Sequence, residues 1–282
     1  VLRSTILLRE IEWEIYWITK RNAKDLLQSE KITKIIFSDD EKELNDLKKI
    51  NFDLVISLEE EKDLLKIIRE ISFKKLIGVY LDEDNNFDYT SDSAEWFDMS
   101  LVSKYSRKEA DEIKMRNRKT HNQIFIEMIG KKFSGQEYDL VIEPKQVNGI
   151  IGLVDRCGDV WPNKNWNGYA KLKEMLKKES YKLIDIPMRP TLKEHIKDIN
   201  NCELIVCGDT LDMHIALALK KKVVSLFNCT PHYEIYDYGR MIKIVSPLYE
   251  KYFFSREKNE EVIGSIPVKE VYDAVKSMIS AD

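Results

Sequence analysis

The sequence predicts an α/β protein built as two consecutive parallel-sheet series. Three observations carry that expectation. Short apolar runs alternate with longer stretches whose apolar residues recur at helical spacing, as strands do when helices cross them over into a parallel sheet. The stretch from Phe133 to Asn148, mixed in Gly, Pro and polar residues, interrupts the alternation and reads as an interdomain connection. Leu204 to Phe227 then forms a complete βαβ unit. Its first apolar run ends at Cys207, Gly208-Asp209-Thr210 makes a polar turn, Leu211 to Leu219 is amphipathic, and Val223 to Phe227 is a second apolar run.

Taken in order, Val1 to Ile11 has a helical apolar face and Trp13 to Thr19 is rich in aromatic and branched residues, as strands are. Ala23 to Gln28 reads as a short helix, Ile32 to Phe37 as a strand and Glu41 to Lys49 as a helix. Phe52 to Leu58 is almost continuously apolar, as in a strand covered on both faces. A helix over Glu59 to Ile71 and a strand over Lys75 to Tyr80 follow, then a polar loop from Asp82 to Ser93. Arg107 to Ile129 reads as one helix closed by Gly130. In the second series, strands are expected at Gly149 to Val154 and Tyr181 to Ile186, with helices at Asn163 to Lys178 and Thr191 to Ile199. Ile242 to Val245 and the amphipathic Val268 to Ile279 complete it. The domain boundaries read as 1–143 and 144–282, with the last helix a candidate to pack back on the first domain.

The 282 residues carry a net charge of −4 with 33% charged side chains, which excludes a nucleic-acid footprint spread over the whole surface. Lys220 to Lys222 is the clearest basic cluster, and a helix C-terminus favours such cations without any ligand. Cys157, Cys202, Cys207 and Cys229 form no C-x-x-C pair; buried thiols in a reduced cytosolic setting are expected. The longest apolar runs fall far short of the ~20 residues of a membrane span, and no signal peptide is read. No ligand spacing joins the four histidines, so no metal site is expected. The chain opens at Val1 inside its first helix, and further natural residues are expected ahead of it.

In open parallel sheets, ligands bind outside the carboxyl ends of the strands. The exposed N–H groups that start a helix there favour an anion, often a phosphate. Thr210, Leu211 and Asp212 begin such a helix, and His214 lies one turn on, as either a packed residue or an anion contact.

These residues resemble glycosyltransferase family 9, the ADP-heptose:lipopolysaccharide heptosyltransferases. The likeness rests on Gly208-Asp209-Thr210 with His214, Ala216, Ala218 and Leu219, followed by Val223 to Thr230. Trp161-Pro162 with Trp166, Tyr169 and Leu172 resembles the family's W-P-x-x-x-W helix opening. Val1 to Thr5 with Leu7, Leu8 and Ile11 resembles the family's G-D-V-L-R-S-T-P-L-L segment, entered after its Gly-Asp pair. The resemblance implies a GT-B architecture, two Rossmann-like domains facing a central cleft, with acceptor bound mainly by the first and donor mainly by the second. It implies inverting transfer of a heptose from ADP-heptose to a glycan or lipid-linked acceptor without an obligatory metal.

By the same resemblance, Asp209, Thr210, Leu211, Asp212, His214 and Lys164 are the donor-binding candidates, and Arg189, after the strand at Tyr181 to Ile186, is another. Asp209 suits capping the helix or holding a sugar hydroxyl, and the amides of 210–212 with the Thr210 hydroxyl suit a diphosphate. Arg3, Ser4 and Thr5 are acceptor-side candidates, with Trp96 and Asp98 beside them. No residue is assigned as the catalytic base, because the family's Asp falls before Val1. Asp159 stands where the family often has a phosphate-binding lysine, and Leu211 where it usually has glycine, which restricts backbone approach. Those departures motivate the alternative of a catalytically degenerate GT-B protein that binds a ligand or partner. A nucleotide-dependent oxidoreductase ranks last, because no G-x-G-x-x-G is present. A cytoplasmic enzyme with peripheral contact at the inner membrane face is the expected setting.

Overall fold

The protein is described here from a computed structural model, over residues 1–179 and 181–279. Residues 180 and 280–282, which include the end of the expected second domain, lie outside the described residues. Val1 and Arg3–Asp139 form one compact unit, and Leu140–Asp282, with Leu2, the other.

In the first unit the opening helix, Leu2–Arg9, has 3-10 pitch. β1 (Ile15–Thr19) pairs in parallel with β2 (Ile32–Phe37) across a 3-10 turn at Arg21–Leu26. α1 (Glu41–Leu47) starts at Asp40, whose carboxylate accepts from the Glu43 amide, as a good N-cap does. β3 (Asn51–Ser57), α2 (Lys62–Glu70) and β4 (Ser72–Leu81) make a parallel crossover. Gly78 has φ +117° and sits so close to Ser57 that an added Cβ would lie 1.8 Å from its carbonyl oxygen, so only glycine fits there.

The Asp82 to Ser93 stretch, read as a loop, contains β5 (Phe87–Tyr89), antiparallel to β4. Asp82 makes the turn by accepting from the Asn86 amide, with Asn85 at φ 62°. β3 is also not covered on both faces: four of its seven residues are half-buried, two are exposed and only Ser57 is buried. It lies at the edge of the three-stranded sheet β3-β4-β5. After α3 (Ala94–Phe97) the expected single helix is two, α4 (Arg107–Arg116) and α5 (His121–Met128). Asn117 exchanges side-chain hydrogen bonds with the Lys119 backbone and breaks the helix, and Thr120 caps the next one through the Gln123 amide. Such side chains offer the backbone an alternative to the helical ladder.

The second unit carries β6 (Ile150–Leu153), α6 (Tyr169–Lys177), β7 (Lys182–Asp185), α7 (Leu192–Asn200), β8 (Leu204–Gly208) and α8 (Leu211–Ala218). β9 (Lys222–Phe227), β10 (Met241–Val245), α9 (Glu260–Ile263) and α10 (Val268–Ile279) follow. The five strands form one parallel sheet in the order β10-β9-β8-β6-β7. Every residue of β8 is buried, as expected of a central strand covered on both faces. α10 packs on α6 and on β8, β9 and β10, while α7 packs on α8. Leu172, Leu176, Val271 and Val275 join the sheet's Val206, Val224 and Ile244 in the core.

The helix expected to begin at Asn163 begins at Tyr169, preceded by a 3-10 turn at Pro162–Lys164. Two buried asparagines fix that turn. The Asn228 amide donates to the carbonyls of Asn163 and Asn165, and the Asn163 amide donates onward to Ser255 and Glu257.

Candidate functional site

Chain direction reverses across this sheet between β6 and β8: the connection after β6 leads outward to β7, and the chain then returns to β8. This is a topological switch point, where the loops after two neighbouring strands part and leave a crevice at their carboxyl ends. Residues 154–161 leave β6 there, and Asp209 and Thr210 leave β8. Gly208, the last residue of β8, permits close packing against the 3-10 turn at Lys164. A Cβ on it would lie 2.5 Å from the Lys164 carbonyl oxygen.

Thr210 is the N-cap of α8, but no side chain caps the helix. Its hydroxyl instead donates to Asp212 Oδ2 at 2.8 Å. Asp209 therefore does not take the capping role. Its carboxylate pairs with Lys164 Nζ at 3.0 Å, and the same amine donates to the Asp209 carbonyl at 2.7 Å. Burial works against the charge of Asp209, but the Lys164 ammonium and the His214 ring outweigh it and hold its pKa at about 2. His214 is buried within α8.

Asp212 is buried and is the hub of a second charged group. Its Oδ1 meets His195 Nε2 at 2.6 Å and accepts from Arg156 Nη2 at 3.1 Å. Despite its burial, these partners and the Thr210 hydroxyl keep its carboxyl below the usual carboxylate range. His195 is on α7 and Arg156 in the loop after β6, so the group joins three segments around the start of α8. The side chain of Leu211 points outward and is exposed.

Of the donor-side candidates, Asp209, Thr210, Leu211, Asp212, His214 and Lys164 are thus gathered at the ends of β6 and β8. Arg189 instead pairs with Asp198 of α7 at 2.6 Å on an exposed surface. Trp166 is a core residue whose indole N–H donates to the Ile266 carbonyl. Trp161 is half-buried against Phe254, with its ring also facing Lys164 and Arg256. In the first unit, Arg3 lies over Trp96, with Lys114 also on that ring. Ser4 donates to the Val1 carbonyl, buried Thr5 accepts from the Asp139 amide, and Asp98 accepts from the Tyr89 hydroxyl. Among the described residues, no group of three or more His, Cys, Asp or Glu could hold a metal ion. No described helix is long and apolar enough to cross a membrane.

Sequence reasoning missed Arg156 and His195 as members of this region, and held Asn163 and Asn228 only as parts of motif stretches, without the bonds they make. Arg156 was findable only with the strand order in hand, which makes its loop a crevice loop. The 17-residue separation of His195 from Asp212 matches no local spacing rule.

Residues 160–263 match the family model for glycosyltransferase family 9 (heptosyltransferase). No curated protein matches the chain in sequence. In fold, the chain is similar to a glycosyl transferase family 9 protein from Veillonella parvula, at TM-score 0.66 and 14% identity, over 100% of this chain and 94% of that one. It is also similar to E. coli heptosyltransferase WaaC with ADP, at TM-score 0.62 and 12% identity, over 98% of this chain and 95% of that one. WaaC with ADP-2-deoxy-2-fluoro heptose gives TM-score 0.58 at 12% identity, over 99% and 95% of the two chains. The resemblance carried by the motifs within residues 160–263 therefore holds: those residues bear the family 9 (heptosyltransferase) match, on a GT-B-type α/β fold shared with solved glycosyltransferases.

Proposed function

We propose that this chain is a glycosyltransferase that moves a heptose from ADP-heptose to a glycan or lipid-linked acceptor with inversion. The observation that carries the reading is the start of α8. No side chain caps it, it lies at the switch point of a parallel sheet, and it falls inside the family 9 match. Open helix N–H groups at a strand's carboxyl end suit a diphosphate. Transfer needs an acceptor hydroxyl to lose its proton and the departing diphosphate to have its growing charge stabilised. The amides of Leu211 and Asp212, with Lys164 and Arg156 held in place by Asp209 and Asp212, suit the second need. No residue is assigned the first. Residues 144–282 form the donor side of the proposal, and 1–143, with Arg3, Ser4 and Thr5, the acceptor side. The setting proposed is cytoplasmic, at the inner membrane face where a lipid-linked acceptor is within reach.

One observation favours a second reading, a GT-B protein that binds without catalysis. Lys164 and the Thr210 hydroxyl are engaged internally by Asp209 and Asp212, and Asp159 adds a further carboxylate to the loop after β6. A donor screen separates the readings. ADP-heptose and other ADP-, UDP-, GDP- and dTDP-sugars are offered with glycan acceptors, and both binding and product are measured. Transfer from ADP-heptose is the expected result. Binding without product favours the second reading, and neither binding nor product overturns both.

A further inference from the structure

Arg256 belongs to no expected element and to none of the charged groups above. It lies in the long connection between β10 and α9, and its side chain is exposed. Among the described residues it makes no ion pair; its guanidinium carbon sits 4.7 Å from the centroid of the Trp161 ring. Lys164 Nζ lies 5.7 Å from the same centroid. One indole thus carries both the amine that holds Asp209 and a guanidinium with no carboxylate on it. Phe254 packs on that indole too, at 4.6 Å between ring centroids.

The backbone around Arg256 is fixed more firmly than an exposed connection requires. Asn163 is fully buried. Its amide donates to the carbonyls of Ser255 at 3.3 Å and Glu257 at 2.7 Å, the residues on either side of Arg256. Its Oδ1 accepts from the Asn259 amide at 2.8 Å. The Phe254 amide donates to the Cys229 carbonyl at 2.7 Å, just past β9. Asn163 is itself held by Asn228. A chain of buried amides therefore runs from the carboxyl end of β9, through the turn after β6, to the residues that bracket one exposed arginine.

A guanidinium stacked on an aromatic face keeps its N–H edge free and its position defined. Unlike a mobile surface lysine, it loses little rotamer freedom when it binds. Its planar fork matches phosphate oxygens. We propose that Arg256, stacked on Trp161, is a phosphate-binding residue for the diphosphate of the nucleotide donor. Lys164 on the same ring and the start of α8 supply the other donors. This assignment rests on the reading of the chain as a nucleotide-sugar enzyme.

Calorimetric titration of the full chain with ADP and, separately, with inorganic pyrophosphate tests it. Arg256→Ala weakens both ligands about tenfold, equivalent to about 1.4 kcal/mol, and Arg256→Lys recovers part of the loss. Lys258→Ala removes the same charge two positions away, where the lysine pairs with Glu260, and changes either affinity less than twofold. Wild-type affinity for both ligands in Arg256→Ala overturns the assignment and leaves the glycosyltransferase reading standing. So does an equal loss in Lys258→Ala, which reduces the effect to general charge. Arg256-dependent binding of pyrophosphate without binding of ADP supports the phosphate site and counts against an ADP-sugar donor. A wild-type chain that binds neither overturns the assignment.

Discussion

Replacing Lys164 with Met removes the partner that keeps Asp209 ionised in the turn after β8. The Asp209 carboxyl stands at about 2 in the folded protein, against an ordinary value of 3.8. That is a fall of nearly two pH units, and each is worth about 1.4 kcal/mol. The folded pKa lies below the unfolded one, so the stabilisation is fully present above about pH 4 and is lost as pH falls through about 2. Its size at pH 7 is about 2 kcal/mol, shrinking below about 1 kcal/mol at pH 2.5. The side chains of Lys164 and Asp209 are only 19% and 14% exposed, so salt screens the pair less than it would a surface pair. In Lys164→Met, burial acts on Asp209 without its main compensation and pushes its pKa up from the wild-type position.

The measurement is urea unfolding followed by circular dichroism between pH 7 and pH 2.5. Wild type, Lys164→Met, Asp209→Asn and the double variant make a complete cycle. The expected coupling is favourable at pH 7 and declines with acid. Coupling near zero at pH 7, or coupling that stays constant down to pH 2.5, would refute the assignment of Lys164 as the residue that holds Asp209.

Three further outcomes follow from the same geometry. Asp212→Ala strips the buried carboxylate from Arg156 and His195 and costs about 3–5 kcal/mol of stability, the usual penalty for breaking a buried ion pair; Asp212→Asn costs less, and chemical denaturation compares the two. Gly208→Ala drives a methyl against the Lys164 carbonyl and costs about 1–3 kcal/mol, read as a lower urea midpoint with an unchanged slope. Asn163→Ala releases the backbone on both sides of Arg256, so limited trypsin digestion cuts after Arg256 or Lys258 at least several-fold faster than in wild type. Equal cleavage rates would show that Asn163 does not hold that segment.

Much of the second unit was legible because its strands are short apolar runs and its helices have apolar faces. The βαβ unit from β8 to β9 was read within a residue or two, since full burial of β8 leaves a continuous apolar signal. Several of the errors share one cause, polar side chains that bond to backbone groups near in sequence or far from it. Asn117 and Thr120 split a helix whose pattern looked continuous. Asp82 turned an apparent loop into a hairpin. Asn163 and Asn228 delayed the start of α6 by holding a 3-10 turn. Apolar periodicity does not record these bonds. The site was half legible for a related reason. Asp209 and Thr210 are motif residues and Lys164 lies within the W-P-x-x-x-W stretch, whereas Arg156 and His195 reach Asp212 only through the order of strands and the packing of α7 on α8.

That packing also changes what the acidic residues of the turn are for. An aspartate beside a helix start proposed to bind a diphosphate looks like a mistake if it faces the ligand alone. Here Asp209 holds the Lys164 amine, and Asp212 holds Arg156, His195 and the Thr210 hydroxyl. Each carboxylate is thus a fixed acceptor that orients donors around the start of α8. Lys164 has a third N–H, and Arg156 has donors beyond the one spent on Asp212, while the Thr210 side chain makes no capping hydrogen bond to the helix. Donors fixed before the reaction stabilise a departing charge without reorganising, which is where electrostatic catalysis is strongest. On this view the two aspartates are positioning residues. Asp209→Asn then weakens nucleotide binding chiefly by loosening Lys164, and Lys164→Met, which removes the donor itself, loses at least as much. If Asp209 instead repelled the diphosphate, Asp209→Asn would bind ADP more tightly than wild type, and titration of both variants distinguishes the two outcomes by sign.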